Sequence, residues 1–243
     1  EGACQARYPF LFFVHEDVKF HSQDWGSVIE DKLNEPDCGV IGFAGSKVKL
    51  NCYSGWMQNK DWACSFFYQG GGARTELQVA CVTLEHPFEE VVILDGFGMF
   101  VCKDVWSLYP FDEELLTGFH CYDLDFSMQI AASRQYKNYV CCSPKVLVEH
   151  FSLGKYNRSW CQDTIRLHKL KWNKLLPLKV DGLELSKKKE RKFEERYFDY
   201  FVRDLIKADY PEKKTALKDF LAYPFSWKHL RHCVSNVYRY LKS

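Results

Sequence analysis

The stretch YPFLFFVHED, residues 8–17, indicates the fold class of this chain. Its first seven residues, 8–14, form a continuous apolar run of strand length, which is typical of a strand buried at the centre of a sheet. The run ends abruptly in three polar residues, His15, Glu16 and Asp17. Open α/β sheets bind ligands at the carboxyl ends of their strands. The sequence therefore predicts an α/β fold with a polar site directly after this strand.

Segments of strand and helix character alternate in the first two thirds of the chain. The pattern predicts further strands at 38–45, 91–94, 99–102, 139–142 and 146–148, and helices at 24–33, 103–108 and 123–136. Residues 46–75 are predicted to be rich in loops. The alternation favours a Rossmann-like α/β domain, with a mixed sheet flanked by helices.

The charge of the chain is unevenly distributed. Residues 1–154 contain 11 Lys and Arg against 21 Asp and Glu, a net charge of −10, whereas residues 155–243 contain 22 against 11, a net charge of +11. Such asymmetry is typical of two modules with different partners. We therefore predict an α/β domain over 1–155 and a basic α-helical C-terminal extension over 156–243.

Two amphipathic helices are predicted in the extension. In 190–207, apolar residues recur at every fourth position: Phe193, Tyr197, Phe201 and Leu205. Ser226 is a predicted N-cap for a last helix, which carries four apolar residues on one face: Leu230, Val234, Val237 and Leu241.

The basic residues of the extension allow two interpretations. They form either the solvated face of helices packed on the α/β domain, or a contact with an anionic membrane surface through 187–242. Nucleic acid is not an expected partner, because no helix-turn-helix, zinc-finger or RNA-recognition signature is present.

Composition excludes several protein classes. An apolar fraction of 47% and a charged fraction of 27% are ordinary for a globular protein and argue against wholesale disorder. The apolar runs are too short for a membrane span, and no segment has the pattern of a signal peptide. The 11 cysteines are scattered without disulfide or zinc spacing, which favours reduced thiols. The expected location is the cytoplasm, or the inner face of a membrane as a peripheral protein.

Three clusters of acidic and imidazole side chains follow strands or abrupt turns, at 15–17, 119–126 and 149–154. Each cluster alone has a structural interpretation as a cap or turn. Together, the carboxylate of Asp17 and the imidazole of His150 form a partial ligand shell for Mn²⁺, or for Mg²⁺ with less affinity for the imidazole. Asp123 or Asp125 then remains as a candidate general base.

Six motifs in a fixed order carry a family resemblance. They are FVHEDV (13–18), VIGFAG (40–45), LDGFGMFV (94–101), FDE (111–113), FHCYDLDFS (119–127) and EHFSLG (149–154). In this order the chain resembles the GT-A-fold glycosyltransferases of the family 2 type, in a bacterial branch. The resemblance implies a GT-A-like fold over about residues 1–155. It further implies an inverting, metal-dependent hexosyl transfer in polysaccharide biosynthesis, from a nucleotide sugar to a glycan or lipid-linked acceptor.

The resemblance also implies roles for individual residues. His15, Glu16 and Asp17 correspond to the motif that binds the donor and the cofactor, and Asp17 would hold Mn²⁺ or Mg²⁺ together with His150. Asp123 corresponds to the catalytic base that accepts the proton of the acceptor hydroxyl.

The resemblance also implies an acceptor-binding site. Asp95 and Gly96 correspond to the strand that lines the acceptor pocket, and Trp56 is predicted to stack on a sugar face. Asp125 is placed with these acceptor-binding residues, although it also suits a position that holds the start of a helix.

The resemblance leaves one region and two functions open. In the family, βαβ units that hold the nucleotide base precede the strand that here begins at Tyr8. We therefore expect that this segment is not in the printed sequence or is supplied by another chain, and that a sheet edge is left to be covered. The expected donor is UDP-linked. The alternatives are a non-catalytic sugar- or nucleotide-binding relative and a metal-dependent nucleotide-sugar hydrolase.

Overall fold

The computed structural model describes residues 1–71, 75–80, 86–152, 154, 156–223 and 226–243. The chain folds into two units. The first consists of Glu1–Lys49, Trp56–Lys155 and Pro177–Leu183, and the second of Leu50–Gly55, Tyr156–Leu176 and Glu184–Ser243.

All strands of the described residues belong to the first unit. They are β1 (Phe10–Val14), β2 (Val18–Phe20), β3 (Cys38–Gly42), β4 (Ala44–Ser46), β5 (Val48–Lys49), β6 (Ala63–Gln69), β7 (Glu76–Ala80), β8 (Phe88–Val91), β9 (Ile93–Leu94), β10 (Gly98–Cys102), β11 (Lys137–Cys141), β12 (Val148–His150) and β13 (Leu178–Lys179). The helices of this unit are α1 (Gly2–Gln5), α2 (Trp25–Leu33), α3 (Lys103–Leu108) and α4 (Tyr122–Ser133).

The strands form two mixed sheets and one small antiparallel pair. The first sheet has the order β1-β10-β3-β11-β8, in which β3 and β11 are parallel and the other neighbours antiparallel. The second has the order β2-β12-β6-β4-β9, with β7 also paired to β6, and its parallel neighbours are β12 and β6. The pair consists of β5 and β13. The predicted α/β architecture of mixed sheets flanked by helices is confirmed.

Two predicted strands divide between the sheets. Residues 38–45 form β3 in the first sheet and β4 in the second, separated by Phe43, and residues 91–94 divide in the same way at Val92. Phe43 and Val92 are both buried. Phe43 contacts Phe97 and Phe100, at ring-centroid distances of 5.7 and 6.0 Å. The transitions therefore tie both sheets to one aromatic core.

The first strand lies at an edge, so the prediction of a central strand was wrong. β1 ends the strand order of its sheet and pairs with β10. Its aromatic residues nevertheless pack, because both faces of an edge strand can still be covered. Phe12 stacks on Phe100 at 3.9 Å, and Phe13 contacts Phe111 at 4.9 Å.

The prediction of a loop-rich segment at 46–75 was also incomplete. The segment contains β6, which pairs with β12, β4 and β7 in the second sheet. Five of its seven residues are buried, so the strand lies inside the sheet and not on the surface.

The regular secondary structure described in the second unit is all helical. Its helices are α5 (Arg158–Leu170), α6 (Lys187–Lys207), α7 (Lys213–Leu221) and α8 (Trp227–Lys242), with a 3₁₀ turn at Trp172–Lys174. Both predicted amphipathic helices are present, as α6 and α8. The hydroxyl of Ser226 accepts a hydrogen bond from the backbone N–H of His229 at 3.0 Å, as predicted for an N-cap. Among the helices described, none has the length and hydropathy needed to cross a bilayer.

Candidate active site

The ends of three chain segments of the first unit meet at one place. Backbone hydrogen bonds fix them: the N–H of His15 donates to the carbonyl of Phe97 at 3.0 Å, and the N–H of Phe151 donates to the carbonyl of Asp17 at 3.0 Å. The β1–β2 connection is thereby held to the start of β10 and to the end of β12. Side chains that lie far apart in the sequence therefore converge here.

His15, Asp17 and His150 form a potential metal-binding group. One ligand atom from each residue lies within 4.8 Å of the others. Oδ1 of Asp17 is 3.9 Å from Nδ1 of His15 and 3.6 Å from Nε2 of His150. In an octahedral site with bonds of about 2.1 Å, ligand atoms lie about 3 to 4.2 Å apart. A divalent cation thus fits this group after a small contraction.

His150 has the properties of a metal ligand. Its Nε2 is buried and has no hydrogen-bond partner among the described residues, although buried polar atoms normally have one. Burial lowers the pKa of His150, against the opposing effect of the charge on Asp17, and so favours the neutral imidazole that binds metals. The ring stacks on Phe97 at 4.6 Å, nearly parallel at 8°. Packing therefore holds this imidazole towards Asp17.

Two consecutive hydrogen bonds, through the hydroxyl of Tyr122, set the orientation of His15. The hydroxyl of Tyr122 donates to the carbonyl of Gly96 at 3.0 Å and lies 3.0 Å from Nε2 of His15. Burial raises the pKa of Tyr122, so the phenol keeps its single proton. Since that proton is directed to Gly96, Nε2 of His15 is the donor to the phenol oxygen. The lone pair of Nδ1 is then directed towards Asp17, as a metal ligand requires.

Asp123 follows Tyr122 in α4, and the pKa of its carboxyl group is strongly raised. Burial, and next the negative charge of Asp95, raise the pKa of Asp123 from 3.8 to about 7. Backbone hydrogen bonds, including one from Gly96, oppose this shift. A carboxylate with a pKa near the working pH is suited to accept a proton.

Gly96 allows Tyr122 and Asp123 to approach the β9–β10 connection. A Cβ atom at this position would lie 2.7 Å from Cβ of Asp123 and 2.7 Å from the Tyr122 hydroxyl. These distances are shorter than any normal contact, so a larger residue would displace α4 from this position.

Asp95 links the predicted acceptor residues. The indole Nε1 of Trp56 donates to Oδ2 of Asp95 at 2.7 Å, and the backbone N–H of Phe97 donates to Oδ1 at 3.3 Å. The structure thus brings Trp56, Asp95 and Gly96 together beside Asp123. The polar edge of the Trp56 indole is thus tied to Asp95.

Two further predicted site residues lie outside the metal-binding group of His15, Asp17 and His150. Glu16 lies in the same connection as the ligands, with an exposed side chain. Asp125 is fully buried and accepts a hydrogen bond from Gln129, one turn later in α4, at 2.7 Å. The structure does not bring either carboxylate into the group of His15, Asp17 and His150. Leu153, within the last of the six motifs, lies outside the described residues.

Sequence reasoning missed two side chains of this site. Phe119 is 67% exposed, and its ring lies 5.6 Å from that of His15. Tyr122 contacts His15 directly, as described above. Both residues stand inside the motif at 119–127, but no sequence pattern shows that this segment meets His15.

Of the comparisons with known proteins, one identifies a family for this chain. A search against curated proteins gave no match. A family model described as a glycosyltransferase-like family matches residues 1–174, which is most of the chain and includes every residue of the site. GT-A-type enzymes often use a divalent metal, and the group of two histidines and one aspartate offers a place for it. The chain therefore belongs to the glycosyltransferase-like family, of the GT-A family 2 type, and this membership supports a glycosyltransferase activity.

Proposed function

We propose that the protein is an inverting, divalent-metal-dependent glycosyltransferase. It would move a sugar from a nucleotide-sugar donor, UDP-linked in this proposal, to a hydroxyl of a glycan or lipid-linked acceptor. The observation that supports the proposal best is the contact of Tyr122 with His15, because it joins the metal-binding group to the element that carries Asp123. A cation site and a general base are the two parts that this reaction needs.

In this proposal, Asp17, His15 and His150 hold the cation. Two imidazoles and one carboxylate favour Mn²⁺ over Mg²⁺, which prefers oxygen ligands. When bound, the cation neutralises the negative charge that develops on the departing nucleoside diphosphate. The exposed Glu16 in the same connection is proposed to face the donor.

Asp123 is proposed to accept the proton of the acceptor hydroxyl as that oxygen attacks the anomeric carbon. A single displacement assisted by one base inverts the anomeric configuration. A double displacement would need a second carboxylate as nucleophile. Asp95 accepts hydrogen bonds from Trp56 and from Phe97 and is assigned to the acceptor subsite in this proposal. Its charge instead supports the basicity of Asp123.

The aromatic residues of the site are proposed to bind sugar rings. Asp95 and Gly96 adjoin Asp123, and Trp56 donates a hydrogen bond to Asp95, so these three residues are proposed to line the acceptor subsite. Phe119 presents an exposed ring beside His15 and is suited to stack on a sugar or base. Asp125 is proposed to support the start of α4 and to act on the acceptor only indirectly.

The biological setting follows from the substrates in this proposal. We propose that the reaction takes place in the cytoplasm, and at the inner face of the membrane where the acceptor is lipid-linked. The proposed process is polysaccharide synthesis in a bacterium.

The test is product analysis by NMR with a panel of nucleotide sugars and Mn²⁺. We expect a glycoside with inverted anomeric configuration, formed only when an acceptor is present. Retention of configuration would contradict the single displacement. Release of free sugar at the same rate with and without acceptor would favour the hydrolase alternative.

A further inference from the structure

Helix α8 of the second unit exposes a continuous apolar stripe. Five large apolar residues are exposed: Trp227, Leu230, Val234, Tyr238 and Leu241. At about 100° per residue they fall within an arc of about 80° on the helix surface. Trp227, Val234 and Leu241 are 78%, 64% and 77% exposed. A single exposed apolar residue is ordinary, but a row of five along one helix marks an interaction site.

The net positive charge of α8 favours a partner with a negatively charged surface. The helix contains four basic residues and no Asp or Glu. The basic residues are Lys228, Arg231, Arg239 and Lys242, and all of them are exposed. By the same helical geometry they occupy an arc of about 80° next to the apolar stripe. An apolar face bordered by Lys and Arg, with an aromatic residue at the helix start, is the pattern of a helix that lies in a membrane interface.

The side of α8 that carries neither the apolar stripe nor the basic residues packs within the second unit. His229, Cys233 and Asn236 are buried. Asn236 donates a hydrogen bond to the carboxylate of Asp199 in α6 at 2.8 Å. The stripe is therefore not the face that packs in the unit, and it remains available while the helix stays folded.

The other basic helix lacks such a surface. Phe198, Phe201 and Leu205 of α6 are buried within the unit. Among the described residues of this helix, Tyr200 is the only large apolar residue that is exposed. Tyr53 contacts both Phe198 and Phe201, at 4.8 and 5.3 Å. Helix α6 thus offers charge without an exposed apolar row, and only α8 combines the two among the described helices of this unit.

We propose that α8 is a membrane-binding element that lies in the interface of an anionic bilayer. The stripe from Trp227 to Leu241 enters the boundary between head groups and acyl chains, and the adjoining Lys and Arg side chains contact acidic head groups. Stable binding needs both the insertion of the apolar stripe and the attraction to acidic head groups. The stripe is short, and charge attraction alone is reversed by salt. The inference stands independently of the proposed transfer reaction, because no residue of the active site takes part in it.

The test is sedimentation of the full chain with vesicles of phosphatidylcholine, with and without phosphatidylglycerol. We expect binding to the acidic vesicles only, and a loss of about tenfold or more for Val234→Glu combined with Leu241→Glu. Lys228→Gln combined with Arg231→Gln should weaken binding about fivefold for each charge removed. All four positions are exposed, so these variants are expected to fold, which circular dichroism checks.

A matched control separates α8 from general charge attraction. Lys188→Gln combined with Lys189→Gln removes the same charge from exposed positions of α6. Binding that falls equally in this control would overturn the assignment to α8, as would equal binding to neutral and acidic vesicles. Analytical ultracentrifugation tests the other candidate partner of the apolar stripe, which is a second copy of the chain. A dimer that Val234→Glu dissociates, without any vesicle binding by the original chain, would also overturn the proposal.

Discussion

The hydroxyl of Tyr122 lies 3.0 Å from Nε2 of His15, although 107 positions separate the two residues in the sequence. This contact connects the β1–β2 connection with the start of α4, and Asp123 follows Tyr122 directly. The proposed metal site and the proposed base are therefore positioned by the same hydrogen bonds, which run from His15 through Tyr122 to the carbonyl of Gly96.

Replacing Tyr122 by Phe should weaken metal binding without removing a ligand. The change deletes the hydroxyl that orients His15, and loss of such a second partner typically costs about 10- to 100-fold in metal affinity. Mn²⁺ titration followed by electron paramagnetic resonance measures it. Tyr109→Phe is a control, because that hydroxyl contacts the exposed Gln135 on another part of the unit. An unchanged Mn²⁺ affinity in Tyr122→Phe would show that His15 needs no such support.

Replacing Asp123 by Asn should reduce the rate of transfer by about 100-fold or more, the usual contribution of a general base. Donor binding should be nearly unchanged, because Asp123 is not one of the proposed ligands. Steady-state kinetics together with calorimetric titration of the donor separate these effects. Asp104→Asn, an exposed carboxylate of α3, controls for the change in charge. Equal loss of donor affinity and rate would argue against a role as base.

The raised pKa of Asp123 predicts the direction of two pH effects. Because the folded state holds this proton more tightly than the unfolded chain does, the contribution of Asp123 to the free energy of unfolding falls as pH rises from 3.8 to about 7. Asp123→Asn should therefore raise the melting temperature more at about pH 8 than at about pH 5. Transfer should increase as the pH rises through about 7, as the base loses its proton.

Thermal unfolding and a rate profile against pH check this prediction. Asp31→Asn is the matched variant, since it removes an exposed carboxylate of α2. A melting-temperature difference between Asp123→Asn and the original chain that stays constant with pH would mean that Asp123 titrates normally.

Replacing Phe119 by Ala should raise KM with little change in kcat. The exposed ring is proposed to contact the substrate away from the reacting atoms, so its binding energy is shared by ground state and transition state. A loss of about 1 to 2 kcal/mol in stacking corresponds to about a 5- to 30-fold increase in KM. Leu108→Ala, another exposed apolar residue, should leave KM unchanged. A fall in kcat at constant KM would instead place Phe119 in the catalytic step.

Local sequence patterns predicted the parts of the fold that local forces determine. The helix at Lys103–Leu108 has the predicted bounds, and Ser226 caps α8 through the hydrogen bond that its type and position suggested. The apolar run at 8–14 did indicate a strand. Its place at the edge of the sheet could not be predicted, because a run of apolar residues reports burial of two faces and carries no information on the hydrogen-bonding neighbours.

The sequence predicted where strands occur better than where a strand breaks and the chain passes to the other sheet. Residues 38–45 form one uninterrupted apolar pattern, yet the chain changes sheets at Phe43. Such a bend depends on how two sheets share a core. The strand β6 was missed for a related reason: its neighbours in sequence are rich in Trp, Asn and Gly, and its partners β4 and β12 come from distant parts of the chain.

The candidate site was predictable as residue types in order, but not as contacts. Motif order placed Asp17, His150 and Asp123 in one family pattern. The inclusion of His15 in the metal-binding group, by contrast, depends on a distance of 3.9 Å to Asp17 and on the hydroxyl of Tyr122. These relations join positions 107 residues apart, and only the folded chain reveals them.

The most direct test of the proposed site is Mn²⁺ binding in the presence and absence of UDP, measured by electron paramagnetic resonance on the original chain, Asp17→Asn and Asp123→Asn. We expect one Mn²⁺ site whose affinity rises with UDP, which is lost in Asp17→Asn and kept in Asp123→Asn. Binding that is equally strong in Asp17→Asn would contradict the assignment of His15, Asp17 and His150 as the metal site.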